Sequence, residues 1–347
     1  MDTFGSTKGA GAYSSEDSSP PQKFVTAYMD DDARTEFLRG VQSHYSTMGI
    51  QSNTIVYDGS KKVFFDSLMD ETNMLSEIIK EDEDYKIVVG ESLGTVKPIY
   101  IEFEPIGKNN LLLVDSQQEL ARHLFMTYVK CLLICKERDS EFKSVSPFIF
   151  FADYRIRKRS VKQNDELADL CLGCEEIYYG TTDSDIEMIM RTLYDEYKLR
   201  DSTNAISQPL FLVLFGLQNI SKILDTFDGE VDSEATSSLF EENEDSNLND
   251  LFNDDVEEKK SVGQIFRLLL QNGSKRSIFL LTWMDNNQSI KKLEYGDSDY
   301  FGNKILGKMS ADDSDALVGM SIAAHITETQ LIFSNINSEV QKLKHYL

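Results

Sequence analysis

An apolar run that breaks directly into an amphipathic helix is a place where chemistry can be mounted, and this chain holds one. Asn109-Asn110-Leu111-Leu112-Leu113-Val114 reads as a buried strand, and residues 118–135 carry apolar side chains at helical spacing. Such a junction cradles phosphates when its loop supplies three things. Glycines let backbone N–H groups wrap the anion, a lysine meets the β- and γ-charges, and a Ser or Thr holds Mg²⁺. Here the junction reads Asp115-Ser116-Gln117-Gln118-Glu119, with Arg122 three residues on. It has no glycine and no lysine, and Asp115 and Glu119 put carboxylates where a triphosphate would rest. Arg122 is the nearest cation, and it falls on the helix rather than in the loop. The place is recognisable and its chemistry is missing.

Other reactive types are thinly spread. Arg155, Arg157, Lys158, Arg159 and Lys162 form the densest basic run. Three readings stay open for it: a DNA-facing loop, a docking surface for an acidic partner (the chain's own residues 225–260 included), or a solvated loop. Cys131 and Cys135 lie four apart on one helix face, and Cys171 and Cys174 form a C-x-x-C. With no histidine near either pair they read as buried reduced thiols rather than a zinc site, so no metal and no cofactor is expected. His44, His123, His325 and His345 show no ligand spacing, and Trp283 reads as packing.

The elements that must position these residues alternate in type. Phe24-Val25-Thr26-Ala27-Tyr28 reads as a short strand, Asp30 to Asp32 as helix caps, and Thr54-Ile55-Val56-Tyr57 as another strand. A short helix is expected over 75–79. From about residue 61 strands alternate with helices: strands at 86–89, 98–103, 111–114, 148–151, 210–215 and 278–282, helices at 118–135, 186–198 and 262–270, then a strand-rich tail. Continuous apolar strands between helices argue a mostly parallel sheet covered on both faces. Residues 1–23, small and polar and ending in Pro20-Pro21, are expected to lack regular structure. The division expected is thus 1–23, a linking element at 24–60, and a main domain at 61–347.

Charge sharpens that outline. The net charge is −24, which opposes duplex phosphates. Residues 225–258 hold 14 Asp/Glu and no Lys or Arg, leaving about −10 for everything else. Residues 225–260 are therefore expected to be a surface insertion too charged to pack. Within it Leu239-Phe240 and Leu251-Phe252 repeat an apolar pair among acids, a candidate docking motif set against a plain solvated loop. No apolar run approaches the roughly 18 residues a membrane span needs. The chain is expected in the cytoplasm, reaching a membrane only through a partner.

Gly90-Glu91-Ser92-Leu93-Gly94 with Pro98 to Phe103, then Asn110 to Val114 and the helix after it, resembles the start of the FtsK/SpoIIIE motor domain. That family consists of RecA-like P-loop ATPases that translocate DNA, and the type VII secretion ATPases are relatives. Its lead-in is present; its "G-x-x-G-S-G-K-S" loop is replaced by Asp115 to Glu119. Leu210 to Phe215 is similar to the family's second ATPase strand, which ends in Asp-Glu to hold Mg²⁺ and position water. Those positions read Phe215-Gly216. Residues 264–282, 313–319 and 338–347 are similar to later segments, so the resemblance spans 86–347. Phe24 to Tyr28 and the helix after it resemble a join between motor domains, and that resemblance implies, as an expectation, a final unit of a longer tandem ATPase or a separately encoded remnant. The resemblance implies a RecA-like P-loop NTPase fold; the residues imply a catalytically inactive domain, not an enzyme. A scaffold or regulator of an active FtsK/SpoIIIE-like motor, or of its own oligomer, is the leading expectation. An active DNA translocase with non-standard motifs and an acidic adaptor acting through 225–260 are the alternatives.

Overall fold

The computed structural model describes residues 10–13, 22–25, 29–49, 84–93, 98–138, 147–156, 165–203, 208–224, 260–293 and 296–346. The chain divides into two compact units, Met1–Tyr57 and Asp58–Leu347.

In the first unit β1 (Ala10–Tyr13) pairs antiparallel with β2 (Gln22–Val25), and α1 spans Asp31–Thr47. Residues 10–13 and 22–23, within the stretch expected to lack regular structure, thus form a ladder, and the rest of 1–23 lies outside the described residues. A two-strand ladder is made of backbone bonds, so it needs no apolar run in the sequence. The strand expected at Phe24 begins two residues earlier, and residues 26–28 lie outside the described set. The acidic caps act as anticipated: the Asp30 carboxylate accepts the Ala33 N–H at 2.8 Å, and Asp31 and Asp32 sit in the positive first turn.

The second unit is built on a sheet of ten strands among the described residues. Its strands are β3 (Lys86–Ser92), β4 (Pro98–Glu102), β5 (Leu111–Val114), β6 (Ile149–Asp153), β7 (Ile177–Gly180), β8 (Leu210–Phe215), β9 (Ile278–Met284), β10 (Asn303–Leu306), β11 (Gln330–Ser334) and β12 (Val340–Lys344). The helices are α2 (Gln118–Arg138), α3 (Glu166–Leu172), α4 (Asp183–Thr203), α5 (Ser221–Leu224), α6 (Val262–Asn272), α7 (Asn287–Ile290) and α8 (Ala311–Val318). The strand order is β4-β3-β12-β11-β10-β5-β9-β8-β6-β7. Six neighbours from β10 to β7 run parallel, and the β4-to-β10 flank is antiparallel.

Every residue of β5, β8 and β9 is buried, so both faces of the parallel half are covered and alternation is absent from those sequences. Helix α6 starts with a capping box, Ser261 accepting from the Gln264 N–H while the Gln264 side chain accepts from the Ser261 N–H. Several short elements, α3, α5, α7 and the edge strand β7 among them, gave no sequence signal. The strand at 54–57 and the helix at 75–79 lie outside the described residues. So do residues 225–259, where the acidic insertion was expected; α5 and α6 bracket them in the chain.

Candidate functional site at the carboxyl edge of the sheet

The parallel strands deliver their C-terminal ends to one edge, the place where open α/β sheets bind ligands. β5 ends there at Val114 and α2 begins at Gln118, leaving a connection of three residues. A GxxxxGK[ST] loop needs several more to fold its N–H groups around a phosphate. Asp115 closes the short connection as an Asx-turn, its Oδ1 accepting the Gln117 N–H at 2.6 Å. Its backbone is fixed as well: the N–H donates to Met284 O, and the carbonyl accepts from Trp283 Nε1 at 3.0 Å. The carboxylate lies against Gly307, at the end of β10, where any added Cβ would collide with Oδ2. Burial pushes the Asp115 carboxyl up to about 6, against a smaller lowering by the Gln117 hydrogen bond.

The rest of the junction is placed differently from Asp115. Ser116 and Gln117 are exposed, and Gln118 Nε2 donates to Ile156 O at 3.3 Å. Glu119 was expected to repel a triphosphate, but Arg122 Nε pairs with it at 2.9 Å. Arg122 also lies 3.7 Å from Glu166 on α3 and 3.0 Å from His123 Nε2, so it ties helices together.

Two strands along, Phe215 and Gly216 occupy the second position. Phe215 is fully buried, its ring 4.8 Å from Trp283, 5.1 Å from Phe125 and 6.1 Å from Phe151. The strand end that would carry a metal-binding carboxylate is thus the centre of an aromatic cluster. Gly216 is in the left-handed region at φ +94°, and a Cβ there would sit 3.0 Å from the Tyr154 backbone. A glutamate at 216 would be strained by conformation and by contact.

Arg155 corrects the reading of the basic run. It is 8% exposed and makes a two-pronged pair with Asp153, at 3.0 and 2.8 Å to Oδ2, while also bonding Asp165. Its guanidinium lies 5.5 Å above the Phe215 ring, and Tyr179 donates to Asp153 Oδ2 at 2.6 Å. Burial alone would lower its pKa; the two carboxylates outweigh that and hold it above the usual arginine range. Arg155 therefore offers no charge to DNA or a partner. Arg157, Lys158, Arg159 and Lys162 lie outside the described residues, as do Leu239, Phe240, Leu251 and Phe252. Asp153 and Asp165 were missed by sequence reasoning. The signal was available, since an aspartate closes the apolar run 148–151 two residues before an arginine.

Cys131, Cys135 and Cys171 are buried free thiols, and Cys174 is half-buried. Burial pushes Cys131 up to about 12 and raises Cys135 and Cys171 as well. Cys171 and Cys174 also flank the C-terminal end of α3, where the helix dipole disfavours a thiolate. Among the described residues no group of three His, Cys, Asp or Glu is placed to hold a metal ion, and no helix is long and apolar enough to cross a membrane.

The architecture has counterparts among solved structures. EssC ATPases 2 and 3 from Geobacillus thermodenitrificans match with a TM-score of 0.54 at 14% identity, over 94% of this chain and 53% of that one. The pCW3 conjugation coupling protein TcpA, a monomer form with ATPγS, gives 0.53 at 13% identity, over 90% and 81%. The cytoplasmic domain of the Thermomonospora curvata type VII secretion ATPase EccC gives 0.52 at 13%, over 83% and 32%. No protein-family model and no curated sequence matches. The likeness is one of fold: a RecA-like α/β domain, a mostly parallel sheet flanked by helices. These neighbours are FtsK/SpoIIIE-type ATPases, and the chain is FtsK/SpoIIIE-like in fold, as residues 86–347 suggested. It spans about one third of the EccC chain and about half of the EssC chain.

Proposed function

We propose that this chain is a nucleotide-independent RecA-like domain that serves as a scaffold or regulator beside an ATP-driven secretion or conjugation motor. The observation that carries the reading is the three-residue β5–α2 connection with the Asp115 carboxylate buried inside it. Phe215 in the aromatic cluster and the left-handed Gly216 support it from the neighbouring strand end. Phosphoryl transfer is positioning plus electrostatic stabilisation. The junction carries no glycine and no lysine, and its Asp115 and Gln117 N–H groups are already bonded within the protein, which argues against a phosphate cradle there. What persists is a rigid α/β body, suited to packing against an active domain or against further copies.

The test is a titration of the purified chain with a fluorescent ATP analogue and Mg²⁺. No saturable signal is expected up to millimolar nucleotide. Binding in the micromolar range would sink the proposal and restore the reading as a translocase with non-standard motifs.

A further inference from the structure

Helix α1, in the first unit, buries none of its residues. At about 100° per residue, Ala33, Phe37, Leu38, Val41, Tyr45 and the C-cap Met48 fall within an arc of roughly 140°. Phe37, Leu38, Tyr45 and Met48 are between 48% and 60% exposed. The opposite face satisfies itself: the Thr35, Ser46 and Thr47 hydroxyls donate to the carbonyls of Asp31, Gln42 and His44. Such back-bonds, and Gly40 in mid-helix, do little to hold a helix together. A helix of 17 residues is marginal in water unless its apolar face is packed. Most of the stability of α1 therefore comes from whatever covers that arc.

Spacing and charge together select the occupant. Leu38, Val41, Tyr45 and Met48 follow one another at intervals of 3, 4 and 3 residues, the seam of a coiled coil. That series reads the same in both directions, so two antiparallel copies match: each Leu38 meets a Met48 and each Val41 a Tyr45. Charge selects the direction. A parallel pair would set Asp30, Asp31 and Asp32 of both copies side by side and Arg34 against Arg34. The antiparallel pair sends the acidic turns to opposite ends. It also stations each Arg34 just past the partner's Met48, where a cation meets the free carbonyls of the last turn. A lipid surface is the poorer occupant. Asp30, Asp31, Asp32 and Glu36 outnumber Arg34 and Arg39, whereas anionic headgroups favour a basic polar face. We propose that α1 is a self-association helix through which two copies of this chain pair antiparallel, Leu38 on Met48 and Val41 on Tyr45. The contact is small and belongs to the weak, concentration-dependent class. It goes beyond the nucleotide reading and stands or falls apart from it, because association is measured without nucleotide.

Analytical sedimentation of the full chain from about 1 to about 200 µM tests the proposal. The wild type is expected to pass from monomer to dimer across that range. Tyr45→Glu puts a charge into the seam and is expected to weaken dimerisation at least about tenfold, while Ser43→Glu, on the polar face, leaves it unchanged. A wild type that stays monomeric overturns the proposal, because the arc then belongs to another part of the chain or to a different protein. So does a dimer that survives Tyr45→Glu at full strength, or one lost equally in Ser43→Glu. Oxidation decides the direction. Leu38→Cys and Met48→Cys chains, both carrying Cys174→Ser, are expected to form a mixed disulfide when combined. A disulfide between two Leu38→Cys chains in its place is the parallel arrangement and overturns the register.

Discussion

Asp115 is the residue at which sequence and geometry say most. The residue is 5% exposed, and burial pushes its carboxyl up from the ordinary 3.8 to about 6. The folded state therefore holds the proton more tightly, so stability falls as pH rises from about 4 to about 6. Above that window the ionised side chain carries its full desolvation cost, at most about 3 kcal/mol for a shift of this size. Asp115→Asn keeps an acceptor for the Gln117 N–H and removes the charge. In urea denaturation the variant is expected to exceed wild type by up to about 3 kcal/mol at pH 7.5 and to match it below pH 4. An equal difference at both pH values would show that the charge is not what the site feels. The identity of Asp115 was legible in the sequence. Its burial was not, because Gly307 lies 192 positions away and only the parallel pairing of β10 with β5 brings them together.

At the scale of elements, Arg155 shows how a loop cation becomes part of a core. Strand β6 ends at Asp153, α3 begins after Asp165, and one guanidinium bonds both carboxylates. Removing it strands Asp153 as a buried charge, which costs about 3–5 kcal/mol. Arg155→Ala is expected to lower stability by that order in chemical denaturation, and Asp153→Asn in the same chain should recover part of it. If Arg155 were a DNA-facing cation, the variant would instead unfold like wild type and lose salt-dependent DNA binding. Helix and strand positions over 86–138 and 210–284 were legible because long apolar runs and 3.6-residue spacing record burial directly. α3 and β7 were not: seven residues give α3 too few turns to show a period, and β7, Ile177-Tyr178-Tyr179-Gly180, lacks the continuous aliphatic run that marked the equally short β5.

On the scale of the molecule, the acidic segment is expected to be separable from the folded body. α5 and α6, which bracket residues 225–259, pack against each other, so a short link can close the same gap. Replacing residues 226–258 with a short Gly-Ser linker is expected to leave the thermal midpoint within about 2 °C of wild type, because loop closure changes only slowly with length. A larger drop in calorimetry would show that the segment packs. If the Leu-Phe pairs are a docking motif, the same deletion abolishes capture of a partner that the full chain retains.

By itself the sequence determined the alternation of elements, the missing glycines and lysine, and the surplus of acid, because each is a local property of residue type and spacing. It also placed Phe215-Gly216 at a strand end. The tertiary structure alone decided that Asp115 is buried against Gly307, that Phe215 centres an aromatic cluster, and that Arg155 is paired inside rather than offered outside. Those outcomes depend on which strands become neighbours. In a parallel sheet, neighbours are joined by long crossovers, so the contacts that set burial and charge at the edge lie far apart in the chain.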